Sequence, residues 1–225
     1  MFWRTAWLVL RKDVAIEARS WEVLTTTLFF AAACVLVFAF AFVKDGRAVE
    51  DSAAGILWIA IAFSGTLALG RTFERERYGE TLRALLLAPA PRPALYLGKL
   101  LGMLALLGLA EVMLVPMVAL MFQATLFSRP LLLVALLAGG TLGFCAVGTL
   151  FAAMLVRSRS RDVLLPILLY PIVIPVIIAG VRGTAALLSA TPDEPTAIMW
   201  LGILAAFDTV FLTLAFWTFE PLMTE

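Results

Sequence analysis

The chain has 225 residues, 63% of them hydrophobic and only 15% charged, with a mean hydropathy of +1.01, which excludes an ordinary soluble domain and marks an integral membrane protein. Seventeen basic against sixteen acidic residues leave no excess charge to suit nucleic acid or a uniformly anionic partner. There is no histidine, so the commonest metal ligand and the usual near-neutral general base are missing, and only Met, Cys or Tyr remain as uncharged side chains able to ligate iron.

At the start of the chain, Trp3, Trp7, Leu10 and Val14 recur at helical spacing, with Arg4, Arg11, Lys12 and Arg19 mostly off that face. This pattern predicts an interfacial helix over residues 1–20; a basic flank that merely sets topology would leave a similar trace. The apolar cluster Ala6 to Leu10 is too short for a signal-peptide core and runs at once into Arg11, Lys12 and Asp13, so no cleaved leader is expected.

Six apolar runs then follow, approximately Trp21 to Val43, Ala53 to Gly70, Lys99 to Phe127, Leu131 to Val156, Val163 to Val181 and Ala197 to Phe219. Each is long enough to cross a hydrocarbon core roughly 30 Å thick. The third exceeds a straight crossing, and Pro116 gives it a place to kink. The fifth contains Pro166, Pro171 and Pro175, which free carbonyls that lipid does not satisfy, so a bent helix packed against protein is expected, either as a fixed kink or as a moving gate. After it, residues 182–196 leave room for a short, re-entrant helix around Thr184 to Ala190. Gly98 with Gly102 and Gly139 with Gly143 are small-residue pairs that allow close helix contact. The run Gly139 to Gly143 superficially resembles a phosphate loop but lacks its Lys-Ser/Thr and lies within a span, so it reads as packing. Cys34 and Cys145 sit in apolar runs and read as free buried thiols.

Thirteen of the 17 basic residues fall in segments 1–20, 71–99 and 157–162, leaving Lys44, Arg47, Arg129 and Arg182 for the other side. That bias places both termini in the cytoplasm. Trp21, Trp200 and Trp217 fall near the predicted interfaces, where indoles anchor.

The connection FERERYGETLRALLLAPAPRP, within residues 73–93, is then cytoplasmic. Gly79 interrupts the helix leaving the second span, and Leu82, Leu85 and Leu86 form an apolar stripe backed by Glu80, Thr81 and Arg83. Pro89 stops it, and Pro-Ala-Pro-Arg-Pro favours a stiff, extended return to the membrane at Lys99. An apolar knob on stiff connections suits a mechanical coupling element; an ordinary solvated loop would have a similar composition.

Glu111 and Asp208 lie at the centres of the third and sixth spans, where burying a carboxylate costs about 2.5 to 3.5 kcal/mol on insertion scales. They are candidates for a protein interface or a pathway, or for packing against polar groups of a neighbouring helix. Paired intramembrane carboxylates also raise an aspartyl-protease reading, but neither residue has the Tyr-Asp or Gly-x-Gly-Asp setting of such enzymes. No His-Glu-x-x-His or Gly-x-Ser-x-Gly occurs either, so no catalytic residue is assigned.

The blocks FERERYGETLRALLLAPAPRPALYLGK with VPMVALM, and TLGFCAVGTLFAAMLVRSRSRDVLLPILLYPIVIP, resemble the CcmB family, the membrane subunits of the bacterial haem exporter of cytochrome c maturation. The resemblance implies an all-α, six-span permease domain over residues 1–225, similar to ABC-2 type exporters, with a connecting helix at the N-terminus and a coupling helix between spans two and three. It implies a homodimer in the bacterial cytoplasmic membrane, working with the ATPase CcmA, the membrane subunits CcmC and CcmD and the haem chaperone CcmE. By the same resemblance Phe73, Arg75, Gly79, Leu82, Arg83 and Leu86 would meet the ATPase, which binds the ATP. No cofactor is expected to be held tightly by this chain. Haem is expected either as cargo crossing through it or as the ligand of a chaperone whose release ATP drives. A drug or polysaccharide exporter of the same permease class is the alternative outside cytochrome c maturation.

Overall fold

A computed structural model describes residues 2–44, 47–48, 52–72, 91–189 and 191–222. Its helices are α1 (Phe2–Ser20), α2 (Glu22–Ala41), α3 (Ala53–Thr72), α4 (Arg92–Phe122), α5 (Pro130–Met154), α6 (Arg161–Leu188) and α7 (Glu194–Leu222). Between α2 and α3 the strands β1 (Val43–Lys44) and β2 (Arg47–Ala48) pair antiparallel, a small addition to the all-helical architecture. Six helices, α2 to α7, are long and apolar enough to cross a membrane.

Several hydroxyl side chains in these spans are satisfied within their own helix. Thr26, Thr209, Thr213 and Thr218 each donate to the carbonyl four residues earlier at 2.7 Å, which leaves these four without an unmet donor on the outer faces, and buried Ser64 donates to Ala60 O at 2.6 Å in the same way.

Helix ends follow local chemistry and revise several sequence-derived boundaries. The third span begins at Arg92, not Lys99: Pro91 holds the extended cap position (φ −60°, ψ 120°) and Pro93 lies in the first turn, where a missing N–H costs nothing. Of the stiff return expected over residues 89–93, residues 89 and 90 lie outside the described residues, and Arg92 and Pro93 are already helical. The same helix stops at Phe122 rather than Phe127, because Gln123 turns left-handed (φ 53°) and Ala124 N–H reaches back to Ala119 O at 3.1 Å, a Schellman-like closure. The separate helix expected around Thr184 to Ala190 is instead the end of α6, which is continuous to Leu188; Ala190 lies outside the described residues. Between α1 and α2, Trp21 is left-handed (φ 54°), and Glu17 Oε1 accepts the Leu24 N–H at 2.7 Å, capping the first turn of α2.

The proline-rich helix is corrected in part. α6 packs on α5, α7 and α3 through Leu165, Leu169, Val173 and Val176, but Pro171 and Pro175 lie on its exposed side and Pro166 is half-buried. Pro116 of α4 is likewise on the outer face.

α5 is the hub, in contact with α3, α4, α6 and α7, and its glycines explain why. A Cβ on Gly139 would meet Leu204 at 3.5 Å and one on Gly143 would lie 2.6 Å from Asp208 Oδ1, both on α7. Gly140 of α5 and Gly180 of α6 receive the Trp58 ring of α3, which a Cβ would approach to 2.1 and 2.4 Å respectively. Trp58 Nε1 donates to Thr184 Oγ1 at 3.0 Å, so the buried indole is also paired. Between lipid-immersed helices the gain is close van der Waals contact rather than removal of apolar surface from water.

The interior forms two cores stacked along the bundle. One joins Val35, Leu57, Val118, Leu136, Ala179 and Leu204; the other joins Leu69, Met103, Val147, Leu165 and Phe219. The second lies at the end of the bundle where α3, α5 and α7 finish and α4 and α6 begin.

Candidate functional site

The ATPase-facing residues expected from the sequence, Phe73, Arg75, Gly79, Leu82, Arg83 and Leu86, lie outside the described residues. The structure does describe the two stems from which their segment leaves, the end of α3 and the start of α4, and polar contacts tie both stems to their neighbours.

Arg161, at the start of α6 and only 6% exposed, donates from Nη2 to Gly70 O in the last turn of α3 at 2.7 Å. A cation on a helix C-terminal carbonyl satisfies an orphan acceptor and complements the helix dipole. Arg71 pairs with Glu22 in the first turn of α2 at 3.3 Å, and Arg92 Nη1 donates to Glu220 O near the end of α7 at 3.3 Å. Together these contacts join α2, α3, α4, α6 and α7 in a collar around the stems.

α1 completes the collar. Its buried residues Ala6 and Val9 press on α4 at Gly98, where a Cβ would lie 2.7 Å from Val9 Cβ and 2.9 Å from the Ala6 carbonyl. One turn on, Gly102 faces Asp13 and Leu10 near 4 Å. Between these glycines Lys99 Nζ meets Asp13 Oδ2 at 2.8 Å, and Lys12 Nζ meets Asp13 Oδ1 at 3.2 Å. The Lys99 side chain is only 6% exposed, so this ion pair lies inside the protein rather than in water. Of the four apolar residues expected on one face, Trp3, Trp7 and Val14 are exposed, while Leu10 turns towards Gly102. The spacing of Gly98 and Gly102 signalled close contact; that α1 is the neighbour, and that Lys99 is buried rather than a point of membrane entry, had no sequence signal beyond an unexplained Asp13.

The two intramembrane carboxylates do not meet. Glu111 on α4 accepts a short hydrogen bond from the Thr141 hydroxyl of α5. Asp208 on α7 lies against Gly143 of α5, and its buried Oδ1 has no partner among the described residues. Thr141 and Gly143 are two positions apart, close to opposite sides of a helix, so the acids reach α5 from different directions.

At the other end of the bundle Arg129 pairs with Glu194 at the start of α7. Asp193 caps that helix, accepting from Thr196 N at 3.1 Å. Its side-chain and backbone hydrogen bonds with Thr196 hold the carboxyl below its ordinary value. Cys34 and Cys145 are free thiols, half-buried and buried respectively.

The sequence matches the family model described as CcmB protein over residues 4–221. It is similar to a protein from Pseudomonas aeruginosa named heme exporter protein B, 29% identical over 199 residues that cover 88% of each chain. It is also similar to proteins of that name from Rhodobacter capsulatus, 29% identical over 88% of this chain and 90% of the relative, and Paracoccus denitrificans, 30% identical over 83% of each.

Proposed function

The chain belongs to the CcmB family, and on that premise we propose that it is the membrane permease subunit of a multi-subunit ABC transporter for haem export in cytochrome c maturation. ATP is bound and hydrolysed by a separate subunit, CcmA, which docks on residues 73–90 from the cytoplasm. Two copies of the permease pair in the bacterial cytoplasmic membrane beside CcmC and CcmD, with both termini inside, and the haem reaches the chaperone CcmE on the outer face. This chain contributes no catalytic residue.

One observation carries the reading: the family match runs from residue 4 to residue 221, through α1 and all six candidate spans, so likeness and architecture coincide over the whole bundle. The collar supports the mechanical part. A push on segment 73–90 enters α3 at Thr72 and α4 at Arg92; Arg161, Arg71 and Arg92 pass it to α6, α2 and α7, while Lys99 passes it to α1. The balance of basic residues towards this end supports its cytoplasmic placement.

A second reading of the stroke is favoured by the absence of histidine. Tight bis-histidine ligation of haem cannot come from this chain, so either haem passes through weak, mainly apolar contacts or partners hold the iron, and in the second case ATP drives release of loaded chaperone. Co-purification tests the shared claim: Leu82→Asp with Leu86→Asp is expected to lose the ATPase while the permease still inserts, and normal recovery of the ATPase would refute the docking role.

A further inference from the structure

We infer that a cleft between α1, α2 and α4 is a specific site for one zwitterionic phospholipid of the leaflet at the basic end of the bundle. This rests on the six-span topology and not on the transport reading. The cleft has a volume of about 300 Å³ and is lined by both charged and apolar side chains. Its charged members are Asp13, Glu17, Arg71 and Lys99, two of each sign. Its apolar wall includes Val23, Leu24, Met103, Leu106 and Leu109.

The gradient is ordered along α4. Lys99 marks the charged end, and Leu109 stands ten positions deeper, about 15 Å at 1.5 Å per residue. That depth equals half of a hydrocarbon core roughly 30 Å thick, the reach of one acyl chain. A charged mouth with a leaflet-deep apolar wall fits an amphiphile and fits neither a free anion nor a peptide helix. The head end is neutral overall, with Lys99 held by Asp13 and Arg71 by Glu22, which suits a zwitterionic head group better than an anionic one, and the exposed part of Arg71 is the cation placed to meet its phosphate. Lys99, almost fully buried beside Asp13, makes the head end a built feature rather than a passing surface charge. Trp21, 59% exposed at the rim, adds an indole at head-group depth. A lipid seated here touches α1, α2 and α4 at once and wedges α1 against the bundle.

The test uses the full-length chain in nanodiscs containing an equimolar mixture of phosphatidylethanolamine and phosphatidylglycerol, transferred to mild detergent and weighed by native mass spectrometry. Wild type is expected to retain one phosphatidylethanolamine. Ala105→Trp, whose side chain enters the cleft from an exposed lining position and so spares the core, is expected to lower that occupancy roughly tenfold. Leu131→Trp, at an 86% exposed position outside the cleft, is expected to leave it unchanged. Arg71→Gln, which removes a cation that the phosphate of either lipid would meet, should lower total lipid retention without turning the preference towards phosphatidylglycerol. Size exclusion and helical circular dichroism establish that each variant is folded. Equal retention in Ala105→Trp and Leu131→Trp, retained lipid in the ratio of the bulk mixture, or a porphyrin in place of lipid would overturn the inference.

Discussion

The Lys99–Asp13 pair makes a prediction with a direction that simple pair-counting misses. Asp13→Asn removes the carboxylate from a lysine whose side chain is 6% exposed and whose Nζ lies 2.8 Å away. Lys99 has a further contact besides Asp13, so breaking this buried pair is expected to cost about 3 kcal/mol, the low end for such pairs. Lys99→Met removes the cation instead, but Asp13 is 20% exposed and keeps Lys12 at 3.2 Å, so the expected cost is about 1 kcal/mol, as for an exposed pair. The double variant has no stranded charge and should resemble Lys99→Met. The assay is hydrogen exchange of the α1 amides in the purified protein, which reads local opening of α1 from α4. Asp13→Asn should speed exchange roughly 100-fold, and Lys99→Met by less than roughly tenfold, given a factor of ten per ~1.4 kcal/mol. Equal effects of the two single changes, or no effect of either on α1, would refute the buried-lysine account.

Gly180→Ala should destabilise the bundle by about 1 to 3 kcal/mol, because the new Cβ would lie 2.4 Å from the Trp58 ring, whereas Gly108→Ala, with nothing within 4 Å, should be neutral or stabilising by up to about 1 kcal/mol; unfolding in mixed micelles ranks them, and equal effects would contradict the packing. Asp208→Asn preserves shape beside Gly143 and should leave folding intact, while in Asp208→Leu the crowding against Gly143, about 1 to 3 kcal/mol, is offset by the loss of a carboxylate whose buried Oδ1 has no partner among the described residues and which costs about 2.5 to 3.5 kcal/mol at mid-span, so stability should not fall; the same unfolding assay checks both, and a marked loss in Asp208→Leu would show that the carboxylate is paired. Arg83→Pro should break the short helix expected in the coupling segment and uncouple ATP hydrolysis from transport, and unchanged coupling would mean that the segment is not helical. The Asp193 carboxyl is held below its ordinary value in the folded protein, so its contribution is complete above the ordinary carboxylate range and is lost as pH falls through the lowered value; amide exchange at Thr196 should rise in acid, and in Asp193→Ala should be fast and independent of pH across that window after correction for intrinsic exchange.

The spans were legible because about 20 consecutive apolar residues carry their own signal, independent of any neighbour. The helicity of α1 was legible through the spacing of Trp3, Trp7, Leu10 and Val14; the structure leaves Trp3, Trp7 and Val14 exposed but turns Leu10 towards Gly102 of α4, beside the buried Ala6 and Val9. Close-packing glycines were legible as types, yet their partners were not. Gly98 and Gly102 could have met any helix, and only the fold brings α1 to them. Lys99 misled because hydropathy treats a lone lysine as a boundary; the boundary was set by Pro91 and Pro93, and the lysine was accommodated by Asp13 from a distant part of the chain. The prolines of α6 misled similarly. The helix was expected to pack against protein, and it does, on α3, α5 and α7; but the stripe Leu165, Leu169, Val173 and Val176 makes that contact and leaves Pro171 and Pro175 outside. Glu111 and Asp208 stood out by depth alone, which carries no information about direction, so their separation across α5 emerges only from Thr141 and Gly143.

The account is tested most directly by reconstituting the permease with its ATPase and membrane partners in proteoliposomes, supplying haem on the cytoplasmic side and measuring haem-loaded chaperone freed on the outer side. ATP should raise that yield, and Leu82→Asp with Leu86→Asp should abolish the rise without removing the permease from the membrane. Haem flux accompanying the rise identifies export, and chaperone release without flux identifies remodelling. A yield of loaded chaperone that is the same with and without ATP would contradict the claim that this chain couples hydrolysis to haem delivery.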